Sequence, residues 1–112
     1  MSFSITDKGV EPAFKLWFKV GDNYIFGEGT CALFAKIKEK KSLTAAAKAT
    51  NMSYRYAWEL CRKVGTHLGE PVLKTQRGGK TGGSSELTHA GLIILNRYLH
   101  LKRVMTRVCK IE

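Results

Sequence analysis

Apolar residues recur at Ala57, Cys61, Val64 and Leu68, at spacings of 4, 3 and 4, which places them on one stripe of a helix. Tyr54, Arg55, Trp58, Glu59 and Arg62 then fall on other faces of that helix, mostly outward. The stretch before it predicts a shorter helix from Ala45 to Thr50, with Thr44 as its N-cap. Its consecutive alanines, Ala45, Ala46 and Ala47, let a neighbouring backbone approach closely. Asn51 tolerates the left-handed turn conformation, Met52 can plug the corner, and Ser53 can cap the second helix.

Upstream, residues 1–12 are polar and mixed and read as a flexible segment. Phe14, Leu16 and Phe18 alternate with Lys15, Trp17 and Lys19, Gly21-Asp22-Asn23 supplies a turn, and Tyr24-Ile25-Phe26 resumes an extended run. This predicts a β-hairpin. Its five aromatics (Phe14, Trp17, Phe18, Tyr24 and Phe26) either close the core as a lid or form a dimer surface. Thr30 is positioned to cap a helix running to about Lys41, burying Leu33, Phe34 and Ile37. The lysines at its end complement the helix dipole, and Lys40 and Lys41 could also reach a phosphate.

Downstream, Val72 to Gln76 alternates as a strand, Arg77 to Gly83 is a glycine-rich basic loop, and Glu86-Leu87-Thr88 returns as a short strand. Thr88 is the expected N-cap of a last helix reaching about Cys109. That helix carries two apolar stripes. Leu92, Leu95 and Leu99 are expected to face the domain core, while Ile94, Tyr98, Leu101, Met105 and Val108 form a heptad-like seam expected to mediate dimerisation. Arg97, Lys102, Arg103, Arg107 and Lys110 flank the seam, so like-charge repulsion would keep the contact short or require help from the hairpin.

A helix pair followed by a basic hairpin predicts a mainly α fold with small β hairpins. More narrowly, it predicts a winged helix-turn-helix with an N-terminal β-hairpin and a long C-terminal helix. Residues 13–112 would form this DNA-binding domain with its dimerisation helix.

The run SLTAAAKATNMSYRYAWEL, then GEPVLKTQRGGKTGG, then ELTHAG, resembles the DNA-binding domain of ModE-type, molybdate-responsive transcriptional regulators. More distantly it is similar to the LysR-type winged helix. Ser53-Tyr54-Arg55 followed by Ala57-Trp58 carries the resemblance, together with Gly78-Gly79-Lys80, Gly82-Gly83, Leu87-Thr88 and Gly91. It spans about residues 28–99 and implies a dimeric winged-helix DNA binder whose second helix, about 53–68, enters the major groove. Fully equipped members of that family continue into an oxyanion-binding domain, whereas this sequence stops at Glu112. The expectation is therefore a regulator without an effector-binding domain. Thr81, Ser84 and Ser85 also stand where the family's wing usually has glycine.

The sequence has 112 residues, enough for one modest core. It has no long apolar run and no signal-peptide pattern, so neither a membrane span nor secretion is expected and the compartment expected is cytoplasmic. The net charge is +10, and between Lys36 and Lys80 there are 11 basic and 3 acidic residues, a net of +8. Charge concentrated over the helix pair and basic hairpin suits a phosphate-facing surface.

Catalytic chemistry finds no support. Gly79-Lys80-Thr81 is not a P-loop, because the glycine required five positions before Gly79 is replaced by Lys74. His67, His89 and His100 and Cys31, Cys61 and Cys109 show no metal-ligand spacing. Cys31 and Cys61 read as core residues, and Cys109 as a free thiol or a cross-dimer disulfide. No enzyme activity, cofactor, metal or small-molecule ligand is expected.

The expected DNA contacts are Ser53, Tyr54, Arg55, Trp58 and Arg62 on the second helix, with Arg77 and Lys80 on the wing. Trp58 could instead pack under the wing. The resulting function is sequence-specific double-stranded DNA binding by a dimeric transcriptional regulator. A low-specificity DNA-organising protein and a protein-interaction module on the same scaffold are the alternatives.

Overall fold

The computed structural model describes residues 8–76 and 84–110. In chain order they form β1 (Phe18–Val20), β2 (Asn23–Phe26), α1 (Glu28–Lys40), α2 (Leu43–Ala49), α3 (Tyr54–Leu68), β3 (Leu73–Gln76), β4 (Ser84–Leu87) and α4 (His89–Cys109). The fold is mainly helical, with two separate antiparallel two-stranded hairpins.

Helix α1 is the hub. Leu33, Phe34 and Ile37 are fully buried, and the helix packs against α2, α3, α4, β2 and β4. It begins at Glu28 with Gly27 as its N-cap, so the expected Thr30 cap is corrected: Thr30 is buried within the first turn. Cys31 N–H donates to the Gly27 carbonyl at 2.8 Å, which closes the helix before Thr30 can act. Glu28 then sits where its carboxylate meets the positive end of the helix dipole. Lys41 ends the helix in the left-handed conformation, φ 52°, with its N–H on the Ile37 carbonyl at 2.8 Å.

The cap of α2 is also corrected, from Thr44 to Ser42, whose hydroxyl accepts from the Ala45 N–H at 3.1 Å. Ser42 and Thr44 are both competent caps. Ser42 prevails because starting there lets Leu43 be buried in the first turn.

The first hairpin pairs Lys19 with Tyr24 and Val20 with Asn23, with an irregularity between Phe18 and Lys19. Residues before Phe18 do not join the ladder, yet Phe14, Leu16 and Phe18 are half-buried while Lys15, Trp17 and Lys19 are exposed, as the alternation predicts. The hairpin closes the core through an aromatic cluster. Phe26 makes edge contacts with Phe34 and Tyr98, at centroid distances of 5.1 and 5.2 Å, and Phe18 meets Tyr98 edge-on at 5.4 Å.

That cluster corrects the reading of α4. Ile94 and Tyr98 are buried in the chain's own core, so they cannot form an open seam. Leu95 is buried as expected, with Leu92 and Leu99 packed beside it. Farther along α4, Leu101 is half-buried and Met105 and Val108 are exposed, joined by Val104. For Tyr98 the physical reason is the first hairpin, whose Phe18 and Phe26 rings pack against it.

In the second hairpin Leu73 faces Leu87 and Gln76 faces Ser84. It is tied to the end of α1 where Ser85 N–H donates to the Lys41 carbonyl at 3.1 Å, and its base is closed by Thr88 N–H donating to the Val72 carbonyl at 3.0 Å. Among the described residues no helix is long and apolar enough to cross a membrane.

Candidate nucleic-acid interface

The connection between α2 and α3 is short and held by backbone hydrogen bonds. Met52 N–H reaches back to the Ala47 carbonyl at 2.8 Å, and Asn51 takes the left-handed conformation at φ 61°. Ser53 then caps α3, its hydroxyl accepting from the Tyr56 N–H at 3.1 Å. Ala46, Ala47 and Ala57 are buried at the junction, where small side chains allow the two helices to close on each other. Met52 is half-buried against the core, as expected of a corner plug.

On α3, Ala57, Cys61 and Val64 form the buried stripe with Gly65, while Leu68 at the end is 39% exposed. Moving each stripe position back by two residues turns it about 200° around the helix. This gives Arg55, Glu59, Arg62 and Thr66, an outward arc at spacings of 4, 3 and 4. Tyr54, Tyr56, Trp58 and Lys63 flank the arc and are exposed. Of the expected contact residues, Arg55 and Arg62 lie on the arc, Trp58 lies beside it, and Ser53 and Tyr54 are exposed at the N-terminal end of the helix. Arg77 and Lys80 lie outside the described residues.

Two features of this surface escaped the sequence reading. Glu59 lies at the middle of the arc and holds Arg62: its Oε2 accepts from Arg62 Nε at 3.1 Å and from Nη2 at 2.9 Å. The guanidinium carbon also lies 6.0 Å from the centroid of the Trp58 ring. The i,i+3 spacing of Glu59 and Arg62 was the available signal. The second feature is Lys63, whose ammonium lies 5.8 Å from the Tyr24 ring centroid, linking α3 to β2. Tyr24 is stacked in turn on Trp17 at 6.3 Å.

Exposed lysines continue the charge onto other elements: Lys38, Lys40 and Lys41 at the end of α1, Lys48 on α2 and Lys74 on β3. Lys41 comes within 3.9 Å of Glu86, a loose exposed pair that contributes little to stability. Chemically, the surface offers guanidinium forks, ammonium groups, phenols and an indole. Such groups suit phosphates and base edges rather than bond-making chemistry. Cys61 is buried behind the arc, and burial pushes its thiol up to about 12, so it stays protonated and unreactive near neutrality. Among the described residues no group of three His, Cys, Asp or Glu side chains could hold a metal ion. A cleft of about 450 Å³ separates Trp58 and Arg62 on α3 from Pro71 and Leu73 at the start of the second hairpin.

The chain is basic and mainly helical, and the exposed face of α3 joins cationic side chains to flanking aromatic ones. No family model matches the chain. It is 36% identical over 72 residues to the molybdenum-pterin-binding protein MopB of Rhodobacter capsulatus, covering 64% of this chain and 27% of that protein. It is 33% identical over 72 residues to the molybdenum transport protein ModE of Herbaspirillum seropedicae, again 64% of this chain and 27% of the relative. With the transcriptional regulator ModE of Haemophilus influenzae it shares 32% identity over 71 residues, 63% of this chain and 28% of that one. The chain thus spans little more than a quarter of the length of these curated relatives. By name they are regulators and binding or transport proteins, and none of these names denotes an enzyme.

These relatives correct one expectation. The sequence reading anticipated no small-molecule ligand, whereas the relatives are named for molybdenum-pterin binding and molybdenum transport. The residues matched make up 27% of each of these relatives, so a name given to the whole relative carries information that these residues alone do not.

Proposed function

We propose that this chain is the DNA-binding part of a ModE-like transcriptional regulator, built as a winged helix-turn-helix. In this reading α2 and α3 form the helix-turn-helix, α3 enters the major groove, and the second hairpin is the wing. The observation that supports it best is the outward arc of α3, which sets Arg55 and Arg62 opposite the buried Ala57–Cys61–Val64 stripe. Cationic forks on the exposed face of a capped helix suit guanine O6/N7 and flanking phosphates. Ser53 and Tyr54, at the α3 N-terminus, suit phosphate. Trp58 offers an apolar face to a thymine methyl, and Arg77 and Lys80 would contact the backbone from the wing. The names of the ModE relatives support the regulatory role.

Regulators of this kind read two-fold sites as dimers. Leu101, Val104, Met105 and Val108 on α4 would carry the dimer contact, since their apolar side chains share one face of its last turns. Ile94 and Tyr98 do not belong to it. Following the relatives' names, a molybdenum-containing small molecule is the ligand class to which the regulator would respond.

Selection from a randomised duplex pool at two salt concentrations tests the reading. Enrichment of a palindrome with half-sites about one helical turn apart is expected. Salt-dependent binding without enrichment would instead indicate a DNA-organising protein. No binding at low salt would overturn the reading. Repeating the selected-site titration with molybdate tests the ligand class.

A further inference from the structure

Glu59 is the only acidic residue of α3, and it occupies the centre of the exposed arc formed with Arg55, Arg62 and Thr66. Its pairing with Arg62 does not account for that position through stability. Both side chains are about half exposed, at 45% and 54%, and exposed i,i+3 pairs contribute little. On a surface that only followed phosphates, a carboxylate at the centre would oppose binding through like charge. We infer that Glu59 is a specificity-determining residue: it fixes Arg62 for guanine and itself accepts from the exocyclic amine of cytosine. This inference rests on the DNA-binding reading above.

The hydrogen-bond geometry carries the argument. Glu59 Oε2 accepts from Arg62 Nε and Nη2, which occupies the side edge of the guanidinium. Arginine has five donors, so the end formed by the two Nη groups keeps hydrogens to offer guanine O6 and N7. The Trp58 ring lies beside the same guanidinium, 6.0 Å from centroid to Cζ. Ion pair and ring together restrict a side chain that would otherwise have many rotamers, lowering the ordering cost on binding.

The remaining oxygen of Glu59, Oε1, sets the second requirement. An ionised carboxylate only accepts hydrogen bonds. In the major groove thymine O4 and guanine O6 and N7 are also acceptors, so they would face it unfavourably; cytosine N4 donates, and adenine N6 donates too but beside its own N7 acceptor, which repels the carboxylate. The Glu59–Arg62 pair thus reads guanine and a nearby cytosine as one unit and disfavours phosphate as a substitute partner.

The test is a comparison of wild type, Glu59→Gln and Glu59→Ala by duplex selection and by salt titration on unselected DNA. The expected wild-type site contains a guanine and a cytosine whose substitution weakens binding. In both variants the ratio of selected to unselected affinity should fall by roughly tenfold, in line with the discrimination one good base contact provides. On unselected duplex the variants should bind more tightly, with a log–log salt slope steeper by about 0.9 as Arg62 becomes free for one more phosphate. Thermal melts report any general folding defect separately. A folded Glu59→Gln protein with the same selected site, ratio and salt slope would overturn this inference alone. If the wild type binds no duplex, both the DNA-binding reading and the inference fail.

Discussion

The Tyr98 hydroxyl donates to the Leu16 carbonyl at 2.9 Å, joining residues 82 positions apart. It pins the segment leading into the first hairpin to the middle of α4. The ring of Tyr98 is meanwhile fully buried against Phe18 and Phe26. Tyr98→Phe keeps the packing and removes the bond, leaving the Leu16 carbonyl without that partner. A loss of about 1 kcal/mol is expected in urea denaturation, with an unchanged slope.

The same residue predicts a pH dependence. Burial, then the nearby Glu28 carboxylate, pushes the Tyr98 phenol from its usual 10.0 up to about 12. Burial likewise moves the Cys61 thiol from 9.0 up to about 12. Both groups are more readily deprotonated when the chain is unfolded, so the stability linked to them is fully present below pH 9 and is lost as pH rises toward 12. Chemical denaturation at intervals from pH 8 upward should show a falling midpoint. Cys61→Ala should lessen the part that begins near pH 9, to which burial of the Cys31 thiol also contributes.

Gly91 is needed for close packing rather than for its backbone angle. A Cβ there would come within 2.5 Å of the Val72 carbonyl oxygen, and that oxygen already accepts from Thr88 N–H. Because the obstacle is backbone, relief requires a shift of the hairpin or of α4. Gly91→Ala should cost about 1–3 kcal/mol, read as a lowered melting temperature.

Lys41 points the other way. Its φ of 52° is a conformation that suits glycine, and its nearest acidic partner is a loose exposed contact. Lys41→Gly should raise stability by about 0.5–1 kcal/mol, and Lys41→Ala, equally strained, should not. Denaturation midpoints of the two variants settle the comparison.

Arg55→Ala provides a functional counterpart. Arg55 is exposed on the arc, so its removal should relax base preference at one position at a cost of about 1–3 kcal/mol on the selected site. Lys74→Ala, on β3, should weaken all duplexes alike.

Much of this architecture was legible in the residues. Ser53 and Thr88 were readable as caps because each stands just before an apolar period of 3.6 with no competing hydroxyl at the same boundary. Thr30 and Thr44 misled because other caps lay nearby: Gly27 needs no side chain to start α1, and Ser42 precedes Thr44 by two positions. Periodicity likewise showed that α4 has two apolar stripes but could not show what covers them. Tyr98 is covered by Leu16, Phe18 and Phe26, a contact set across the length of the chain. At the candidate interface the outward face of α3 was visible in the spacing. The doubly bonded Glu59–Arg62 pair was not, since spacing permits such a pair without fixing its rotamers.

Thr88 has a mechanical consequence. Its hydroxyl accepts from Gly91 N–H at 3.2 Å while donating to the Pro71 carbonyl at 2.7 Å, and its own N–H holds Val72. Three joints therefore meet at one residue: the approach to β3, the end of β4 and the foot of α4. Helix α4 packs mainly on α1 and β4, so α3 has no broad contact through which to push it directly. Torque applied to the second hairpin would reach the base of α4 through the Thr88 joint and the end of α1 through the Ser85–Lys41 bond, so both helices would share the load.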